Sequence, residues 1–196
     1  EFDIRKPVKR ARLYIAGLGY NEPYLNGQRV GENELDSAWT TYSKRVLYSC
    51  YDVTSAIKSG ENCLGVMVGN GWFNPLPLRM WGQLNLRNFL TVGRPRVIAQ
   101  LNVEYLDGSQ RTVFTDENWT TSPGPILRNS VYLGERYDAR REQGGWCTPS
   151  FDDAEWQPVR EVSASKTTLR SQAQPAIKRT NILQPLEITE PKPGVF

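Results

Sequence analysis

Apolar and polar positions along this 196-residue chain recur with the two-residue period of β-strands more often than with the 3.6-residue period of helices. Leu13-Tyr14-Ile15-Ala16-Gly17 begins a run of aromatic and β-branched residues that suits a pleated, half-buried surface. Tyr24-Leu25 and Gln28-Arg29-Val30 flank Asn26-Gly27, a dipeptide that readily takes the paired positive φ angles of a type I′ turn. A hairpin is predicted there. A second is predicted where Leu101, Val103 and Tyr105 alternate with Asn102 and Glu104 and Asp107-Gly108 turns the chain into Arg111-Thr112-Val113-Phe114. One face of that hairpin is apolar and the other polar, as in an antiparallel sheet with one wet side. Val46-Leu47-Tyr48 and Leu64-Gly65-Val66-Met67-Val68 read as further strands. The second is apolar on both faces and is expected in the centre of a sheet.

Helical signal is thin. Residues 53–58 could close one turn, capped by Thr54 or Ser55 and ended by Ser59-Gly60, and residues 151–156 another. Many short strands with few helices argue an all-β, antiparallel β-sandwich rather than alternating βαβ units. From Val162 onward the alternation fades into Ser, Thr, Gln and Pro. Residues 1–161 are therefore read as the sandwich and 162–196 as a strap leading to a next domain, with one expected strand at Leu186-Glu187-Ile188-Thr189. The connection from Phe73 to Arg96 contains Pro75, Pro77, Gly82, Gly93 and Pro95, together with Trp81 and Phe89. Loops of that length in compact domains are usually functional or mobile.

Charge narrows the function classes. Lys and Arg number 24 against 21 Asp and Glu, a net charge of +3, and they are scattered rather than gathered in a stripe. Nucleic-acid binding needs such a stripe and is not expected. The nearest approach to one, Arg5-Lys6 with Lys9-Arg10, reads as a solvated strand. No apolar run reaches the roughly 18 residues of a membrane span, and no leader-like segment precedes Phe2. The absence of His excludes Ser-His-Asp and Cys-His catalysis and leaves no usual structural zinc site. Cys50, Cys63 and Cys147 follow no ligand spacing and are expected to be small buried thiols.

Acidic residues come in pairs: Asp116-Glu117, Asp152-Asp153, and Glu135 with Asp138. Glycoside hydrolysis needs two carboxylates flanking one bond, but neighbours on a strand point to opposite faces. Turn-forming, capping or solvated roles fit these carboxylates better. The indoles say more. Trp39, Trp72, Trp81, Trp119, Trp146 and Trp156 mostly adjoin Gly, Asn, Asp or Thr, at expected loop edges. An exposed ring beside amides can cover the C–H face of a sugar while the amides bond its hydroxyls. Trp72, in Gly69-Asn70-Gly71-Trp72-Phe73, is the foremost candidate, because the flanking glycines leave backbone open to a ligand.

An ordered set of motifs carries a family resemblance. Tyr24-Leu25-Asn26-Gly27-x-Arg29-Val30-Gly31 is followed by Trp39-Thr40-x-Tyr42-x-Lys44-Arg45-Val46-Leu47-Tyr48, then Tyr51-Asp52-Val53-Thr54. Gly60-Glu61-Asn62-x-Leu64-Gly65-Val66, Gly69-Asn70-Gly71-Trp72 and Thr115-Asp116-x-Asn118-Trp119 come next. Gly124-Pro125-Ile126, Tyr132-x-Gly134-Glu135-x-Tyr137-Asp138-Ala139-Arg140 and Phe151-Asp152-Asp153-x-x-Trp156 complete the order. The whole chain resembles the amino-terminal domain of bacterial α-L-rhamnosidases.

The resemblance implies a jelly-roll β-sandwich of carbohydrate-binding-module type. It also implies a periplasmic or secreted parent enzyme that removes terminal α-L-rhamnose from glycans with inversion. In that family the catalytic carboxylates lie in a later (α/α)6 barrel, so no catalytic residue is carried over and the barrel is the expected partner. A non-catalytic domain supporting that barrel is the first expectation. The alternative is a calcium-assisted module for rhamnose-containing glycans, with Asn70, Trp72 and Asn118 at the sugar and Asn70, Asn118 and the carbonyl of Pro123 at calcium. Calcium favours such oxygen ligands, but Gly69 and Gly71 leave no acidic partner beside Asn70.

Overall fold

The computed structural model describes residues 1–76, 79–80, 84–163 and 167–194. Pro77, Trp81, Gly82, Val195 and Phe196 lie outside the described residues. In chain order the strands are β1 (Phe2–Ile4), β2 (Val8–Leu18), β3 (Tyr20–Leu25), β4 (Gln28–Arg29), β5 (Arg45–Asp52), β6 (Gly60–Asn62), β7 (Leu64–Gly69) and β8 (Arg79–Met80). They continue as β9 (Leu84–Asn85), β10 (Arg96–Tyr105), β11 (Gln110–Phe114), β12 (Thr120–Thr121), β13 (Ile126–Ser130), β14 (Gly134–Tyr137), β15 (Gln157–Pro158) and β16 (Thr168–Ser171). Helix among the described residues is limited to 3-10 turns at Thr54–Ala56, Leu86–Asn88 and Ala139–Arg141.

Two sheets organise the chain: a five-stranded sheet in the order β11-β10-β2-β5-β16, and a three-stranded sheet in the order β4-β3-β7. Pairing is antiparallel throughout, except that β16 runs parallel to β5. Register places Ala11, Leu13 and Ile15 of β2 opposite Val103, Leu101 and Ala99 of β10, so one face of the large sheet is a continuous apolar layer. It packs with Phe2, Ile4, Leu25, Val30, Val53 and Leu64 into the main core. Period-2 alternation thus becomes a two-layer sandwich, because each sheet buries the same-facing half of its side chains. Truncating Leu13 or Leu101, both fully buried, would cost about 2–5 kcal/mol through lost transfer energy and a residual cavity.

Both expected hairpins are present. Asn26 and Gly27 take φ of 53° and 81° between β3 and β4, and Gly108 takes φ of 82° between β10 and β11. Several expectations are corrected. The 3-10 turn at Thr54–Ala56 has no side-chain cap, because the Thr54 hydroxyl bonds Asp52 Oδ1 and faces the backbone of Ala11 instead. Residues 151–156 form a turn rather than a helix, with the Trp156 N–H donating to the Asp153 carbonyl at 2.8 Å. Strand β7 lies at a sheet edge, not in a centre. Its second apolar face is explained by a loop, since Trp146 and Cys147 pack directly over Gly65. No strand forms at Leu186–Thr189, whose apolar side chains are exposed. The strap instead contributes β16. Of the three free thiols only Cys147 is buried; Cys50 is exposed and Cys63 half-buried.

The strap is tied down near β4. The Glu34 N–H donates to the Ile177 carbonyl, and the Glu34 carboxylate takes both Arg29 and Arg179. Arg29 also reaches Glu22 at 2.9 Å and the Asn33 carbonyl at 2.7 Å. Its guanidinium holds the Glu34 carboxyl below the ordinary glutamate value.

Candidate functional site

Where β7 leaves the three-stranded sheet, two backbone segments meet with no room for side chains. A Cβ on Gly19 would collide with the Gly69 carbonyl, and one on Gly71 would lie 3.1 Å from the Tyr20 nitrogen. Both glycines have positive φ. The space a Cβ would take at Gly19 and Gly71 is therefore filled by protein backbone.

Asn70 staples this turn to β13. Its N–H donates to Asn129 Oδ1 at 2.7 Å and its Nδ2 to the Asn129 carbonyl at 3.0 Å. Its Oδ1 accepts from Asn74 Nδ2 at 2.8 Å. Every polar atom of the Asn70 side chain thus has a protein partner.

Trp72 is half-buried over a small core of Ala16, Tyr42, Val46 and Phe73. Trp39 stacks on it with centroids 4.7 Å apart and planes at 18°, and Tyr132 meets it edge-on at 5.6 Å and 90°. Trp39 is 49% and Tyr132 48% exposed. The result is an aromatic ledge, anchored by Trp72 and open at Trp39 and Tyr132, with the Asn70–Asn74 amides adjoining it in sequence. Burial pushes the Tyr42 phenol beneath it up to about 12. Flat apolar rings with nearby amides can hold a neutral sugar face. Sequence reading singled out Trp72 but did not pair it with Trp39 and Tyr132, which lie 33 and 60 positions away.

Asn118 and Pro123 sit elsewhere in the hydrogen-bond pattern. Exposed Asn118 donates its N–H to Asp116 Oδ1 at 3.0 Å, in the turn that sets Trp119 against the main core. The exposed Pro123 carbonyl faces the Ser122 hydroxyl at 3.4 Å. Among the described residues no hydrogen bond or ring contact joins Asn118 to Asn70 or Trp72. Nor, among them, do three or more His, Cys, Asp or Glu side chains gather where a metal could be held. Trp146 and Trp156 stack on each other, and the Trp156 indole N–H donates to Gln143. They pack structure rather than present a platform.

At least one carboxylate of each acidic pair is taken up by the fold. Asp152 Oδ1 accepts the Ala154 N–H, Asp153 Oδ2 accepts the Thr120 hydroxyl at 2.7 Å, and Asp138 caps a 3-10 turn while gripping Arg140. That grip depresses the Asp138 carboxyl. A general acid needs the opposite shift.

Comparison with known proteins follows the same lines. Residues 6–181 match the family described as the α-L-rhamnosidase N-terminal domain. An α-L-rhamnosidase of Streptomyces avermitilis is 40% identical over 193 residues, 97% of this chain and 18% of that protein. One from Formosa agariphila is 36% identical over 194 residues, 99% of this chain and 20% of that protein. The crystal structure of the Streptomyces enzyme complexed with L-rhamnose superposes with a TM-score of 0.86 at 38% identity, covering 98% of this chain and 18% of that one. The α-L-rhamnosidase of Dictyoglomus thermophilum gives 0.82 at 41%, covering 98% and 20%. The chain spans about a fifth of the length of the curated relatives it matches. With its motifs in order, its all-β sheets and this match along nearly its full length, the chain belongs to the α-L-rhamnosidase N-terminal domain family.

Proposed function

We propose that this domain is a non-catalytic accessory part of a glycoside hydrolase that releases terminal α-L-rhamnose with inversion, and that it supports a catalytic (α/α)6 barrel. On this reading residues 162–196 lead from the sandwich into the next domain. The carrying observation is that at least one carboxylate of every acidic pair, Asp116, Asp138, Asp152 and Asp153, is committed to a turn, a cap or a side-chain bond. No acidic pair therefore keeps both carboxylates free to flank a glycosidic bond. The chain alone should release no rhamnose from an aryl α-L-rhamnoside above the buffer rate. Turnover that survives repurification and vanishes when Asp152 and Asp153 become Asn would overturn the reading.

A second reading rests on the ledge. Trp39, Trp72 and Tyr132 beside Asn70 suit a rhamnose-containing glycan, with Asn118 contributing if its turn swings toward the rim. The donors suit a neutral sugar better than calcium at Asn70, Asn118 and Pro123, because Asn74 already takes the Asn70 oxygen. A monosaccharide offers few atoms, so Kd should be roughly millimolar. Rhamnose titrations with and without calcium, on the wild type, Trp72→Ala and Trp39→Ala, test it. Binding unchanged in both variants would remove the ledge as the site.

A further inference from the structure

Strand β7 is covered on one side by the main core, through Leu64, and on the other by the loop that carries Trp146 and Cys147. Two of the three thiols meet under that loop. Cys63 stands just before β7 and is half-buried, while Cys147 is fully buried above it. Cys147 Sγ lies 2.9 Å from the place a Cβ would take on Gly65, and 3.5 Å from the Cys63 carbonyl. It also reaches the Tyr24 carbonyl at 3.4 Å. The two thiols hydrogen-bond each other. Both are set in held segments. Asn26 clasps Cys63 by donating its N–H to the Cys63 carbonyl and accepting the Cys63 N–H on Oδ1, each at 2.9 Å. The Trp146 ring, next to Cys147, meets Tyr24 edge-on at 5.1 Å. Cysteines so placed can close to the roughly 2.05 Å of an S–S bond with small shifts of loop and side chain.

We propose that Cys63 and Cys147 are a dithiol that closes into a disulfide by exchange with an external low-molecular-weight disulfide, fastening the Trp146 loop to the start of β7. Exposure sets the order of events. The half-buried Cys63 meets the reagent first, and the hydrogen bond from Cys147 holds its thiol below the ordinary value while pushing the Cys147 thiol up. The thiolate is the attacking form. Cys63, having released its proton, attacks one sulfur of the external disulfide, breaks that S–S bond and expels a thiolate. Cys147 then gives up its proton, and its sulfur attacks Cys63 Sγ, which breaks the mixed disulfide and expels the second thiolate. The two protein thiols lose two electrons and two protons in all, and the external disulfide leaves as two thiols. Cys50 lies on β5 of the five-stranded sheet, opposite Tyr14, and takes no part. The new bond would join positions 84 apart in sequence, a long loop whose closure restricts the unfolded chain.

The test is to treat the folded chain with excess oxidised glutathione, alkylate the remaining thiols, digest without reduction and map the peptides by mass spectrometry. The peptides bearing Cys63 and Cys147 should be recovered joined to each other. The oxidised chain should melt about 10 °C higher than the reduced one, and dithiothreitol should abolish the gain. In Cys147→Ser the same treatment should leave glutathione on Cys63, because no second sulfur is there to displace it. Glutathione retained on Cys63 in the wild type overturns the proposal, as does a Cys63 joined to Cys50. Alkylation of both Cys63 and Cys147 after prolonged oxidation overturns it too, leaving them as two packed thiols.

Discussion

The two hairpin tips, Asn26-Gly27 with both residues at positive φ and Asp107-Gly108 with only the glycine so, lie in opposite surroundings. At Asn26-Gly27 the amide is buried and saturated. Asn26 Nδ2 donates to the Ala56 carbonyl and to Asn62 Oδ1, and its Oδ1 accepts the Cys63 N–H at 2.9 Å. Asn62, with no exposed surface, accepts the Lys58 N–H and donates to the carbonyls of Lys58 and Gly60. At Asp107-Gly108 the carboxylate sits in solvent, taking Lys6 at 2.8 Å and the N–H of Ser109. At both tips the dipeptide ends on a glycine at positive φ. Only at the first does its side chain do what water cannot, since a buried donor that loses its partner forfeits its full solvation.

Breaking the buried network should have the largest effect. Asn62→Ala strands the Lys58 N–H and the Asn26 amide, and should cost about 3 kcal/mol or more in urea unfolding. A loss under about 1 kcal/mol would mean that water replaces the amide and the two tips differ less than argued.

The glycines sharpen the contrast. Gly27 and Gly108 have nearly equal φ, 81° and 82°. A Cβ on Gly27 would lie 2.9 Å from Thr148 Cγ2, while one on Gly108 meets nothing within 4 Å. Gly108→Ala should therefore cost only the left-handed strain, about 1 kcal/mol, and Gly27→Ala about 2 kcal/mol. Thr148→Ser keeps the hydroxyl that bonds Gly145 and removes the offending methyl. In that background the two alanine variants should converge in a double-mutant cycle, and equal costs in the wild-type background would discard the steric account.

A smaller effect lies at the strap anchor, intermediate in exposure between the tips. Arg29 holds the Glu34 carboxyl below its ordinary value of 4.5, so the folded state binds that proton less tightly than the unfolded chain. The stabilisation is present above the unfolded value and is lost as pH falls through the lower folded one. Thermal melts between pH 6 and the acid limb, at values spaced across roughly pH 5 to 2, should show a shallower fall for Glu34→Gln than for wild type. Identical slopes would detach Arg29 from strap anchoring. Smallest of all, Asp107→Ala should leave the melting temperature within replicate scatter, because exposed ion pairs contribute little.

The hairpins, the strand-rich pattern and the turn roles of Asp116, Asp138 and Asp152 were legible because each depends on neighbours in sequence. Turn dihedrals and strand alternation are local. The aromatic ledge was half legible: Trp72 stood out beside its glycines, but Trp39 and Tyr132 reach it only through tertiary folding. Asn62 carried no local signal, since an Asn after Gly60-Glu61 reads as turn material until long-range packing buries it. The edge position of β7 was misread for a related reason. Two apolar faces indicate cover on both sides, and a loop bearing Trp146 covers as well as a strand does. For β16, Thr168-Leu169-Arg170-Ser171 has too little alternation to announce itself, and its pairing with β5 is parallel and distant.

That parallel pairing bears on how the domain behaves when cut free. Thr168 through Ser171 lie against Arg45 through Tyr48. They satisfy backbone groups that would otherwise face other molecules beside Val46 and Leu47. Uncovered strand edges recruit strands from neighbouring copies. A chain ended at Glu161, where the alternation of the sequence stops, would keep the main core and still self-associate through β5. One carried on past Gln172, whose N–H reaches the Tyr48 carbonyl, keeps that edge of β5 covered.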